Sequence, residues 1–237
     1  MENIKGAVHN IRKRIENAAL RIGRNLSEIT ILAASKTRKP EEITLALNSG
    51  ITVFGENYVQ EFLQKYEDLK DYRSISWHFI GHLQKNKARF ITGMVELIHS
   101  IDSVDLCALI DRNSSLLNAK TKVLIEVNLA NEPAKNGIKA DEVFGFISKL
   151  NPFNFLSLKG LMTMPPLANT PEENRRYFRE LKDLLFAINK KNTYKEELKT
   201  LSMGTSGDFE VAIEEGSTIV RLGTAIFGER PGKAKNQ

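Results

Sequence analysis

Short apolar runs alternate with helically patterned segments along nearly the whole chain, and that alternation is the strongest constraint on its fold. The runs are Ile29–Ala34, Ile51–Gly55, Ser76–Ile80, Val95–Ser100, Lys122–Leu129, Leu156–Met162, Thr200–Met203 and Thr218–Gly223. Each is bounded by polar or turn residues and has the length of a buried strand. Helices are predicted over about 40–48, from a turn at Glu56–Gln60 to about Leu69, from near Leu83 through Ile91, and over about 103–117, 140–150, 171–189 and 208–214. Another precedes the first strand, with Ile4, Val8, Ile11, Ile15, Ala18, Ala19 and Ile22 on one face and an end near Gly23. Alternation with short connections means a parallel sheet, and eight units in 237 residues fit a closed (β/α)8 barrel. A doubly wound open sheet is the alternative, but no glycine-rich turn follows the first strand. The expected organisation is one α/β TIM barrel with its N-terminal helix over residues 1–228. A tail over 229–237, without an apolar anchor, is expected to be disordered.

Composition narrows the function classes. Hydrophobic residues make up 41% and charged residues 27%, as in ordinary soluble domains. No apolar run is long enough to span a membrane, and the first residues do not begin a signal peptide. One cysteine, Cys107, excludes an internal disulfide and fits a reducing cytosol, so a cytoplasmic location is expected. Its neighbours Leu106, Ala108, Leu109 and Ile110 make it a buried helix residue. The net charge of +5 is spread along the chain. Its densest groups, Lys85/Lys87/Arg89 and Lys36/Arg38/Lys39, lack the interleaved aromatics of a single-strand binder and read as solvated faces. No nucleic-acid partner is expected.

The chemistry converges on Lys36. It stands where the first strand leaves the core, just before a helix that starts at Pro40-Glu41-Glu42. Partial desolvation favours the neutral, nucleophilic amine that a Schiff base requires. Barrel enzymes commonly hold phosphate in the loops after strands seven and eight. Here those loops carry Gly204-Thr205-Ser206-Gly207 and Gly223-Thr224, small residues with hydroxyls that suit an anion. Arg221 points inward if Val220 and Leu222 point outward. It then meets either Glu126 in a salt bridge or a ligand's ring nitrogen or carboxylate. Lysine, phosphate cup and arginine together suit pyridoxal 5′-phosphate. His78 and His82 flank Gly81 and could be acid/base groups or metal ligands. No third ligand stands at plausible spacing, so hydrogen bonding or packing is expected, and no metal.

At these residues the chain resembles the pyridoxal phosphate homeostasis proteins, the YggS-like or PROSC-like family. The matching segments are Ala33–Thr37, Phe54–Glu61, Trp77–Lys87, Gly160–Met162, Leu201–Gly204 and Gly216–Gly228, in collinear order over nearly the whole chain. The resemblance implies the alanine racemase N-terminal barrel, fold type III among pyridoxal phosphate proteins, with Lys36 as the Schiff-base lysine. It assigns further cofactor contacts to Asn57, Ser206, Arg221, Gly223 and Thr224, and no catalytic residue. It implies a role in cofactor homeostasis and delivery, with apo-enzymes as recipients and a monomer as the expected state. Two segments depart from the family's pattern. Met203-Gly204-Thr205-Ser206 has threonine where methionine is usual, and Glu132-Pro133-Ala134-Lys135 lacks the usual serine. Racemases with this barrel take their second base from a further β domain. This chain ends soon after strand eight, so that domain is expected to be missing. Slow racemisation or transamination is the enzymatic alternative, and a basic RNA-binding barrel a distant third.

Overall fold

Eight parallel strands form and close on one another. They are β1 (Thr30–Ala34), β2 (Val53–Glu56), β3 (Ser76–Phe79), β4 (Leu97–Ile101), β5 (Thr121–Asn128), β6 (Leu156–Met162), β7 (Thr200–Thr205) and β8 (Ile219–Leu222). Each pairs with the next, and β8 returns to β1 through Ile31↔Val220 and Ala33↔Leu222. The computed structural model describes residues 3–229, so the expected tail lies outside the described residues from 230 onward.

The helices on the outside are α1 (Asn3–Arg21), α2 (Pro40–Asn48), α3 (Val59–Asp68), α4 (Val104–Leu116), α5 (Val143–Ser148), α6 (Arg175–Lys190), α7 (Phe209–Glu214) and α8 (Thr224–Phe227). The helix expected from Leu83 is instead a 3-10 segment, Lys85–Phe90. Within it only Ala88 is buried, and the apolar anchors Leu83 and Ile91 lie outside the segment at either end. The helices expected at 140 and 171 likewise open as 3-10 turns, Ala140–Glu142 and Pro171–Asn174. A two-residue strand, Ile138–Lys139, lies beside β5. Among the described residues no helix is long and apolar enough to cross a membrane.

Strand alternation makes two cores. Leu32, Leu97, Leu124, Met162 and Ile219 fill the barrel interior. The opposite faces, with Ala33, Phe54, Ile98, Val123 and Val220, pack under the helices. Helix α1 adds Ile4, Val8, Ile11, Ile15, Ala18 and Ala19 to this shell. Ile22, expected on the same face, is exposed, because the helix stops at Arg21 and Gly23 turns away at φ 68°. Arg14 and Arg21 hold α1 to α7 through Glu210 and Glu214, each at 2.7 Å.

Candidate functional site

The inward faces of the strands lead to one cavity at their carboxyl ends. Leu32 faces the barrel interior, and Ala34 and Lys36 continue that alternation into the mouth. All six residues singled out above, Lys36, Asn57, Ser206, Arg221, Gly223 and Thr224, line this cavity of about 470 Å³. A pocket that size suits a small ligand. Glu126, Asn136, Met164, Leu167 and Thr205 add to the wall, and nothing in the sequence singles out Asn136, Met164 or Leu167.

Arg221 is buried and points inward, as alternation with Val220 and Leu222 requires. Its Nη1 donates to Ser202 Oγ at 2.6 Å. Its Nη2 donates to the Thr163 carbonyl and Met164 Sδ, both at 2.8 Å. Burial pulls Arg221 down to about 10, and Glu126 and Asp208 pull it back. It therefore stays protonated at neutral pH. Glu126 acts on it across the cavity rather than as a close ion pair. Burial raises the Glu126 carboxyl, and Arg221 partly offsets that.

Ser202 faces Arg221 by alternation, between Leu201 and Met203 of the outer core, and β7 bulges just after it. Ser202 pairs with Ile219 and Thr205 with Arg221, so three steps on β7 match two on β8. Gly204 takes up the extra residue at φ 90°, and a Cβ there would lie 2.5 Å from Ala212 Cβ. The bulge turns Thr205 inward, on the same side as Ser202, and the strand runs past its expected end at Met203. Asp208 fixes the loop that follows, accepting from Thr205 N–H at 2.6 Å and Asn174 Nδ2 at 2.8 Å. Ser206 Oγ accepts from the amides of Gly223 at 3.2 Å and Ala225 at 3.1 Å, joining the two loops expected to form a phosphate cup.

The two histidines part company. His82 lies at the cavity mouth, its Nδ1 3.2 Å from Asp102. His78 lies inside the barrel, its Nδ1 2.9 Å from His99 Nε2, and His99 Nδ1 is 2.9 Å from Ser202 Oγ. Arginine only donates, so Ser202 accepts from Arg221 and gives its own proton to His99 Nδ1. That leaves His99 Nε2–H to donate to His78. Burial holds His78 down to about 4 and His99 well below the usual histidine value, so both are neutral. No sequence signal marks His99, whose partner Ser202 is 103 residues away. Among the described residues no group of three or more His, Cys, Asp or Glu is placed to hold a metal ion.

The basic group around Lys36 is only partly a solvated face, with Lys39 exposed. Arg38 is buried, bonded to the Gly228 carbonyl at 2.5 Å and to Glu42 at 3.2 Å. Lys135, in the loop that departs from the family pattern, pairs with Glu132 at 2.6 Å.

The chain matches the family described as alanine racemase, N-terminal domain, over residues 10–231. It is 46% identical over 223 residues to the pyridoxal phosphate homeostasis protein of Aquifex aeolicus, covering 93% of this chain and 95% of that one. The chain belongs to the pyridoxal phosphate homeostasis protein family. Solved structures are also similar to it. An unknown protein from Bifidobacterium adolescentis is 34% identical with a TM-score of 0.90, over 95% of each chain. PipY of Synechococcus elongatus, in a structure with PLP bound, is 30% identical with a TM-score of 0.80, over 91% of this chain and 100% of PipY. This member of the homeostasis family has the alanine racemase N-terminal barrel, with the cavity at the carboxyl ends of its strands.

Proposed function

We propose that the chain binds pyridoxal 5′-phosphate in this cavity and serves its homeostasis and delivery rather than efficient turnover. The observation that carries the reading is the convergence of Lys36, Arg221 and the Ser206 and Gly223–Thr224 loops on one pocket. Relatives named for pyridoxal phosphate homeostasis, and PipY with the cofactor bound, support it.

The residues fit the group. Asn57 Oδ1 is buried without a hydrogen-bond partner beside the cavity. A Cβ at Gly207 would meet no atom within 4 Å, so the loop wall is open to a ligand there. Lys36 would hold the group through its amine, to which the cofactor would offer an aldehyde. Ser206 and Thr224 offer hydroxyls, and Gly223 lets the backbone approach the phosphate. In this reading Arg221, which lines the cavity, faces the ring nitrogen. It is protonated, so it donates there and cannot accept, and catalysts with a strong electron sink need the opposite.

The wider role follows from the same features. Burial pushes the Cys107 thiol up to about 12, which suits an inert residue of a cytosolic protein. Lys85 and Lys122 are paired with Asp105 and Glu96, which offsets the positive charge at those two positions. A monomer that passes the cofactor to apo-enzymes is the working state in this reading.

Titration of the purified protein with pyridoxal phosphate, followed by absorbance, tests the proposal. A saturable imine band in the protein and its loss in Lys36→Ala are expected. The loaded protein should leave L-alanine and other L-amino acids almost unchanged. Turnover at ordinary enzyme rates, about 1–1000 per second, would replace the carrier reading with an enzymatic one.

A further inference from the structure

We propose that Glu61 and Lys65 are positioning residues for Lys36. The inference rests on the reading of Lys36 as the residue that takes the cofactor.

Lys36 occupies the second position of a tight turn. The Arg38 N–H closes it by donating to the Ser35 carbonyl at 3.0 Å, and Thr37 stands third at φ 66°. Turns of this form normally put glycine third, because a side chain there crowds the backbone, and threonine is branched at Cβ as well. Something must hold Thr37 in that conformation, since relaxing it would swing Lys36 away from the cavity.

The holding group lies beneath the turn. Lys65, on α3, is buried. Its ammonium donates to the Ser35 carbonyl at 2.7 Å, to Glu56 Oε1 at 2.7 Å and to Glu61 Oε1 at 2.6 Å. Three N–H groups meet three acceptors, so the ammonium has no donor to spare. Glu61 Oε1 also accepts the Thr37 N–H. The peptide before Lys36 is therefore bonded to Lys65, and the peptide after it to Glu61, with Lys65 and Glu61 bonded to each other. Glu56, on β2, ties the group into the sheet by accepting from Ser35 Oγ at 2.6 Å. Neither residue lines the cavity, so both act through the backbone of Lys36 and not on a ligand.

The test compares Glu61→Leu, which removes the acceptor, with Glu61→Gln, which keeps one. Lys65→Met is a third variant. Three readouts apply: exchange of the Thr37 amide in cofactor-free protein, borohydride-trapped condensation of pyridoxal phosphate at Lys36, and affinity for pyridoxine 5′-phosphate, which has no aldehyde. In Glu61→Leu and Lys65→Met, amide exchange should speed up and condensation slow by about tenfold or more, as loss of a hydrogen bond to a charged group implies. Affinity for the aldehyde-free analogue should hold, and Glu61→Gln should restore the other two. Unchanged exchange and condensation in Glu61→Leu would overturn the proposal. So would an equal loss of analogue binding, which marks general damage, or a failure of Glu61→Gln to restore. If the unaltered protein took no cofactor, the reading of the site would fall, and the exchange readout would still decide whether Glu61 holds the turn.

Discussion

Ser206 and Thr224 share the cup but differ in what they support. Ser206 Oγ joins two loops by accepting the Gly223 and Ala225 amides, whereas Thr224 is exposed at the start of α8. Thr224→Ala should therefore weaken cofactor binding by about 1.5–3 kcal/mol and leave the melting temperature of the cofactor-free protein unchanged. Ser206→Ala should lower both. Calorimetry with and without cofactor separates them, and equal behaviour of the two variants would contradict the assignment. His78 gives a second prediction at this scale. Glu96 and Lys122 act on it, and burial holds it down to about 4. An unfolded histidine takes its proton near 6.5, so between those values the unfolded chain binds more protons. Stability is then fully present above pH ~6.5 and falls by about 1.4 kcal/mol per pH unit towards pH 4. The raised carboxyls of Glu56 and Glu126 work in the opposite direction but are common to both proteins. His78→Gln should flatten the acid limb of a urea-midpoint profile, and parallel slopes would contradict this. Lys36 and Arg221 were legible in the sequence because strand alternation fixes which way they point. His99 and Ser202 were not, because alternation turns each of them inward but gives no sign that two side chains 103 residues apart meet there.

At the scale of elements, β6 and β7 meet without room for a side chain. A Cβ at Gly160 would lie 1.8 Å from the Thr200 carbonyl oxygen, which is backbone and cannot rotate aside. Gly160→Ala should cost about 1–3 kcal/mol or more, read as a lower denaturant midpoint. A midpoint unchanged from the parent would show that the strands can separate more easily than this contact allows. Nearly every strand and the outer helices were legible from periodicity, because buried parallel strands are short apolar runs. The misreadings share one cause: periodicity does not report how tightly the backbone winds or where glycine bends it. Residues 85–90 are wound as a 3-10 segment under a single buried alanine. Gly204, which looks like a strand terminator, is a bulge inside β7. Helix α8 is only four residues long, too short to show a pattern.

For the whole molecule, closure of the sheet brings residues from β1, β2, β7 and β8 to one mouth, although Lys36 and Arg221 stand far apart in sequence. A cofactor held there binds only the folded chain. Saturation at about 100 times the dissociation constant should add about 2.7 kcal/mol to the stability of the fold. The measurement that bears most directly on this account is the mass of the peptides released after pyridoxal phosphate is added and the protein is reduced with borohydride. The account predicts the reduced cofactor on the peptide containing Lys36, stoichiometric with the protein and absent from the other lysines. An unmodified Lys36 peptide, or an adduct spread over surface lysines, would contradict it.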